Sequence, residues 1–299
     1  MLYYRRKLLL AILEVFGRSV ASKALQKYLF LITRNQEIKT YDFVPFKYGC
    51  FSFQAEQDLQ TLVTRGYISN TIINDSSGYT LNEGVSTLSE LDMFDRQILF
   101  SIRNDFADYT LDELIRYTYI KAPFYAINSV IAENLLSAEE LEKVTSQRRH
   151  IEERRLFTVG YEGLSLESYI TQLILKDIKV LCDVRKNAYS RKFGFSKAQL
   201  QKACNGVGIK YVHIPELGIE SEKRQELNTQ ADYNQLFGEY EKTSLKENWS
   251  YLNIIVELLK VDGRVALTCF EKSPLMCHRS RVAKAVLSLP TVDVPLTNL

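Results

Sequence analysis

Leu156-Phe157-Thr158-Val159-Gly160-Tyr161-Glu162-Gly163 decides how the second half of this chain folds. A short, largely apolar run ends in glycine, and a polar turn follows at once, the pattern of a buried strand entering a loop. The pattern returns downstream as Val180-Leu181-Cys182-Asp183-Val184, Lys210-Tyr211-Val212-His213-Ile214 and Arg264-Val265-Ala266-Leu267-Thr268-Cys269. Helical patterns separate the runs. Leu166, Tyr169, Ile170, Leu173 and Ile174 mark the first, Ser196 to about Asn205 the second, and Leu252 to Leu259 the third. A last helix holds Val282, Ala283, Ala285, Val286 and Leu287. Strands without polar alternation, each followed by a helix, predict a parallel sheet covered on both faces. The expectation is a Rossmann-like α/β domain over residues 155–299.

Each strand delivers polar residues at its carboxyl end. The first is followed by Gly160, Tyr161 and Glu162. The second ends in Asp183 and Arg185, with Tyr189, Ser190, Arg191 and Lys192 beyond. Tyr211 and His213 belong to the third, with Glu216 and Gly218 after it. The fourth gives Cys269 and Glu271, then Cys277, His278 and Arg279. Ligands of open α/β sheets bind outside the carboxyl ends of the strands. Four clusters meeting at one edge therefore predict a site.

The same residues resemble the domain of unknown function 488 family. The matching motifs are Thr158-Val159-Gly160-Tyr161-Glu162-Gly163, Asp183-Val184-Arg185, Ser190-Arg191-Lys192 with Phe195, Tyr211-Val212-His213 with Leu217-Gly218, and Cys269 with Glu271 and Cys277-His278-Arg279. They span residues 156–290. Asn187-Ala188 stands where the family often has proline. The resemblance implies a Rossmann-like fold and no particular reaction.

The residue types suggest chemistry. Arg185, Arg191, Lys192 and Arg279 suit an anion, and the first amides of the last helix would add to such a pocket. Asp183, Glu162 and Glu271 are candidate catalytic carboxylates, with Tyr161 beside them, for activating water or stabilising a cationic sugar. Tyr161, Tyr189 and Tyr211 suit stacking on a base. The plainer reading of Asp183 is an ion pair with Arg185 or Arg191. Cys269, Cys277 and His278 invite a zinc reading, with His213 or Cys182 as a fourth ligand. However, Cys-x7-Cys-His is not a standard finger spacing, and adjacent Cys277 and His278 are expected to diverge, so no metal and no cofactor are expected. A nucleophilic Cys277 with a depressed pKa at a helix start is a further reading.

The first half reads as helices followed by a hairpin. Residues 7–16 form a buried helix. Residues 22–33, capped by Ser22, place Leu25, Tyr28, Leu29 and Ile32 on one face. Tyr41 to Ser52 reads as an aromatic-rich loop. Ser52 caps a third helix that Gly66 ends. Strands over Tyr67–Ile73 and Gly78–Leu81 flank the turn Asn74-Asp75-Ser76-Ser77. That order is a winged helix, here residues 1–150 with a helical extension, and its third helix would enter a DNA groove. Two acids and one Arg65 make that helix a poor partner for phosphate. Leu25-Gln26-Lys27-Tyr28-Leu29-Phe30-Leu31, Tyr48-Gly49-Cys50-Phe51-Ser52 and Gly66-Tyr67-Ile68 resemble the Panacea/SocA-like antitoxin-associated family. The likeness continues weakly through Thr110-Leu111-Asp112-Glu113-Leu114 and Tyr117 to Pro123. The family has proline where Cys50 stands. The likeness implies the scaffold and not a reaction.

The charge-dense stretch from Ala138 to Arg155 separates the halves. With 46% apolar and 25% charged residues over 299 positions, the chain has room for two cores and no sign of disorder. The net charge of +2 gives no basic field strong enough to hold DNA by charge alone. Five widely spaced cysteines argue against a disulfide framework. No apolar run is long enough for a membrane helix, and no export signal is seen, so a cytoplasmic protein is expected. The sequence leaves homo-oligomerisation open. Taken together, these features predict an enzyme on nucleic acid that cleaves an N-glycosidic bond, as a DNA glycosylase does. By analogy with the antitoxin-like front half, its role would be prokaryotic defence against foreign or modified DNA. The alternatives are a nuclease, a nucleotide-sensing winged-helix regulator, and a toxin–antitoxin-type module without turnover.

Overall fold

The computed structural model describes residues 2–224 and 227–299, in two compact units that meet between Arg148 and Arg149. In the first unit α1 (Tyr4–Val15) is buried from Leu8 through Leu13, so it runs through the core rather than over it. Around it lie β1 (Ser19–Ala21), α2 (Ser22–Asn35), β2 (Val44–Phe46), β3 (Gly49–Phe51), α3 (Phe53–Thr64), β4 (Ile68–Ile73) and β5 (Ser76–Leu81). Helices α4 (Met93–Phe106), α5 (Leu111–Lys121), α6 (Ala132–Leu135) and α7 (Ala138–Thr145) complete the unit.

Three local expectations change, the simplest being that Ser76 and Ser77, read as turn, pair with Ile73 and Ile72 as the start of β5. Ser22 is the first residue of α2 rather than its cap, because Ala21 is held extended by its pairing with Gly78 of β5. The stretch from Tyr41 to Ser52 is not a plain loop. It contains an antiparallel hairpin, Val44 opposite Phe51, covered by a cluster of Phe46, Phe51 and Phe53. Ser52 does cap α3, its Oγ accepting from Ala55 N at 3.2 Å. The turn between β4 and β5 rests on Asn74 (φ 46°) and Asp75 (φ 59°), both left-handed, the conformation that tight two-residue hairpin turns favour. The resulting antiparallel sheet has the order β1-β5-β4.

The second unit runs β6 (Arg155–Gly160), α8 (Leu166–Leu175), β7 (Val180–Asp183), α9 (Lys197–Gly206), β8 (Lys210–His213), α10 (Gln230–Lys242), α11 (Ser244–Glu247), α12 (Leu252–Asp262), β9 (Arg264–Cys269), α13 (Arg279–Leu287) and β10 (Leu296–Asn298). Its five strands are all parallel, in the order β10-β6-β9-β7-β8. Neither β10 nor α10 is evident in the sequence pattern. β10 is short and half-exposed and takes strand form only by pairing with β6. β6, β7 and β9 are buried along nearly their whole length. Each fully buried Leu, Ile or Val there contributes about 1.5–3 kcal/mol.

Connections that step towards β8 and those that step back towards β10 cover opposite faces when every crossover is right-handed. Accordingly α8 packs on α9, and α12 on α13. β9 lies between β6 and β7, whose following helices leave on the other face. The chain therefore parts on both sides of the β9 carboxyl end, the topological condition for a crevice.

Candidate functional site

Register brings the four strand ends level. Gly160 pairs with Cys269, Thr268 with Asp183, and Asp183 with His213. The loops then cross closely. A Cβ on Gly160 would lie 1.9 Å from Glu271 O, and one on Gly218 would lie 2.1 Å from Lys186 N. Only glycine fits at either place, so Gly160 and Gly218 both serve the close crossing of loops.

Asp183 and Arg185 form the buried base of the site. Arg185 Nε donates to Asp183 Oδ1 at 2.8 Å, and Nη2 donates to Oδ2. Arg185 N also reaches Oδ1 (3.1 Å), and Tyr211 Oη donates to Oδ2 at 2.6 Å. Both carboxylate oxygens are thus occupied, and Asp183 is fully buried. Arg185 Nη1 donates to Tyr161 Oη (2.6 Å) and Phe195 O (2.9 Å). Burial by itself would lower the Arg185 pKa, but the Asp183 carboxylate overrides it and raises the pKa, so the guanidinium stays charged. Tyr161 is stacked on Phe195 at 4.2 Å and is 2% exposed. Burial, then the Asp183 charge, raises the Tyr211 phenol. Asp183, Arg185, Tyr161 and Tyr211 therefore make one locked network beneath the surface. The ion-pair reading of Asp183 is the one its geometry supports, and neither Tyr161 nor Tyr211 presents a face for stacking.

His213 is half-buried. Its Nε2 lies 2.9 Å from Arg185 O, and since a carbonyl only accepts, that nitrogen carries the proton. Ser190 organises the β7–α9 loop, its Oγ accepting from Lys192 N at 3.1 Å and its N–H donating to Ser196 Oγ at 3.0 Å.

The groups open to solvent form a crest above this base. Glu162, Tyr189 and Arg191 are exposed, and Lys192 is half-buried. Glu162 Oε2 accepts from Lys272 N at 2.9 Å, and Glu162 N donates to Phe270 O at 2.9 Å, which ties the β6 and β9 loops together. Lys192 Nζ donates to Tyr161 O at 3.0 Å. Burial draws its pKa below the ordinary range, with the charge of Glu162 opposing. Phe270 is 41% exposed and meets Tyr161 edge to face at 5.4 Å. Sequence reasoning missed it. The signal was available, since an aromatic directly after a strand buried through Cys269 has left the sheet and turned towards the loops.

Cys277, His278 and Arg279 are fully buried, and they differ from expectation. Arg279 donates to Glu271 O and to Lys272 O (3.0 Å), so it clamps the β9–α13 loop instead of reaching a ligand. The amides of Ser280 and Arg281 are spent on the carbonyls of Cys277 and His278, so they do not add to an anion pocket. Burial, then the neighbouring Cys269 and Glu271, pushes the Cys277 thiol well above its ordinary value, the reverse of what an activated nucleophile needs. Cys277 and His278 do not diverge either. Their donor atoms and that of Cys269 all lie within 4.8 Å of one another. Glu271 is half-buried, with Oε2 3.5 Å from Cys269 Sγ. His213 and Cys182, the fourth ligands considered from sequence, are not in that group.

Beside the crest a cleft of about 210 Å³ opens along the loops after β7 and β8. Glu216, Glu220, Glu239 and Glu247 outnumber Lys186 and Lys223 in its lining, which makes it a poor seat for phosphate.

Fold and site together define a parallel α/β domain with a polar crest at its topological switch point. Residues 165–286 match the family model described as Domain of unknown function DUF488. The match lies wholly in the second unit and begins after β6, so the Thr158–Gly163 motif falls outside it. Among curated proteins none matches the chain. No described helix is long and apolar enough to cross a membrane.

Proposed function

We propose that this chain is a nucleic-acid hydrolase that cleaves an N-glycosidic bond at the crest of its second unit, while its first unit, read as a winged helix, engages DNA. The observation that carries the proposal is Glu162, an exposed carboxylate at the switch point that feels the charge of Lys192 and whose main-chain N–H donates to the carbonyl of the exposed Phe270, with Tyr189 and Arg191 open to solvent on the β7–α9 loop. The cations suit flanking phosphates and the rings suit a displaced base. Glu162 takes a proton from water as the water oxygen bonds the anomeric carbon. The C–N bond breaks, and the base leaves with the electron pair and picks up a proton.

Helix α3 supports the role of the first unit better than its composition does. Asp58 is fully buried, accepting from Arg5, Arg6 (2.7 Å) and Tyr41 (3.1 Å). One of the two acids that counted against DNA is therefore neutralised inside. Gln57, Gln60 and Thr64 are left outward, residue types that can read base edges. A role in prokaryotic defence belongs to the same proposal.

The test is incubation of the purified chain with plain and base-modified DNA, single- and double-stranded, followed by alkali and a denaturing gel. Alkali-dependent breaks that Glu162→Gln reduces at least about 100-fold are expected, the size usual for a lost acid–base group. Breaks without alkali would mean a nuclease. Intact DNA with a shifted band on a native gel would mean a regulator that binds without turnover.

A further inference from the structure

The turn between β9 and α13 gathers soft donor atoms that the proposed hydrolysis does not use. Cys269 ends β9, a short 3-10 turn over Pro274–Met276 folds the chain back, and Cys277 and His278 follow. The donor atoms of these three side chains lie within 4.8 Å of one another, with His278 Nδ1 3.8 Å from Cys269 Sγ. A tetrahedral zinc ion with Zn–S bonds of about 2.3 Å and Zn–N bonds of about 2.0–2.1 Å sets its ligands about 3.5–3.8 Å apart. The Cys269–His278 pair already has that separation, and Cys277 Sγ lies within 4.8 Å of both.

His278 is tied as a ligating histidine is. Its Nε2–H donates to Val184 O at 2.8 Å, which leaves Nδ1 as the lone-pair nitrogen, the one near Cys269. Tyr240 holds the ring from the side, edge to face at 5.9 Å, and is itself anchored by donating to Leu217 O at 2.7 Å. A fourth donor is close, since Glu271 Oε2 lies 3.5 Å from Cys269 Sγ.

Charge points the same way. Arg279 is 0% exposed, its Nε has no hydrogen-bond partner, and among the described residues it forms no ion pair. A buried cation without a counter-charge is costly. Two thiolates and one carboxylate around a dication carry one net negative charge, the complement of the adjacent guanidinium.

We propose that Cys269, Cys277 and His278 hold a zinc ion, with Glu271 as the fourth ligand. Binding exchanges two thiol protons, released to solvent, for two Zn–S bonds. The proposal goes beyond the glycosidic reading, and its readouts involve no DNA, so either can fail without the other.

The experiment is metal analysis of the purified full chain, then replacement of the ion by cobalt(II) with absorption spectroscopy. One zinc per chain and sulfur-to-cobalt charge-transfer bands of a dithiolate site are expected. Cys277→Ser should weaken those bands and lower zinc affinity at least about 100-fold against a chromophoric chelator. Glu271→Gln should keep the bands but shift the ligand-field absorption. If Cys277→Ser does not fold, the parent spectrum and chelator competition still decide. A parent chain that shows no thiolate-to-cobalt band, or a Cys277→Ser chain whose bands are unchanged, overturns the proposal.

Discussion

At the scale of single residues the site separates into groups that hold and groups that meet solvent. Asp183 belongs with the former. Its oxygens accept from Arg185 and Tyr211 in a fully buried position, and Arg185 in turn holds Tyr161 and the Phe195 carbonyl. Removing one partner of a buried pair leaves the other charge uncompensated, at a cost of about 3–5 kcal/mol. Asp183→Asn should therefore lower stability by about that amount in urea unfolding followed by far-UV circular dichroism. An unchanged midpoint would mean that the pair is not structural. Glu162→Gln should leave the midpoint within about 0.5 kcal/mol, as a surface change does. The two variants thus separate a structural ion pair from the carboxylate proposed to act on water.

At the scale of elements, helix starts carry much of the local specification. α5 and α7 begin with capping boxes, Thr110 with Glu113 and Ser137 with Glu140. The Thr110 main-chain N–H, then its hydroxyl, holds the Glu113 carboxyl below its ordinary 4.5. A carboxyl with a depressed folded pKa stabilises fully above its unfolded value and loses that contribution as pH falls through the folded one. Glu113→Gln should therefore melt below the parent at about pH 7, and the gap should narrow as the pH falls below the ordinary carboxylate range. A gap of constant size would show that the carboxylate charge contributes nothing. Ser52→Ala removes the cap of α3 and should cost about 1 kcal/mol, measured by the same unfolding.

At the scale of the molecule each unit has its own core, one centred on α1 and α2, the other on the parallel sheet and the helices around α12. Residues 149–299 expressed alone should melt cooperatively and should show the same loss on Asp183→Asn. A chain of that length without a thermal transition would mean that the second unit depends on the first. All five cysteines are buried and none is in a disulfide, so reducing agent should leave both transitions in place.

Much of the architecture is local and was legible in the sequence. Strands buried on both faces read as uninterrupted apolar runs, and four of the five strands of the parallel sheet lie where those runs fall, each within a residue or two. β10 was not legible, because half-exposed Leu296 to Asn298 become a strand only by borrowing the edge of β6. The convergence of polar residues at the strand ends also followed from the pattern, since parallel strands end at one edge. Which of those residues face solvent did not follow. Asp183 and Glu162 are the same kind of group in the sequence, but β7 lies inside the sheet, with Arg185 and Tyr211 closing over its end, and Glu162 sits on a turn. Cys277 and His278 looked too close in the chain to share a ligand. A short 3-10 turn and the hydrogen bond to Val184 bring their donor atoms together, and such a bond across 94 residues is set by packing rather than by spacing. The sequence determined most of the elements, through periodicity and caps that act within a few residues. Only the tertiary structure decided the roles, because burial and pairing depend on what distant strands bring alongside.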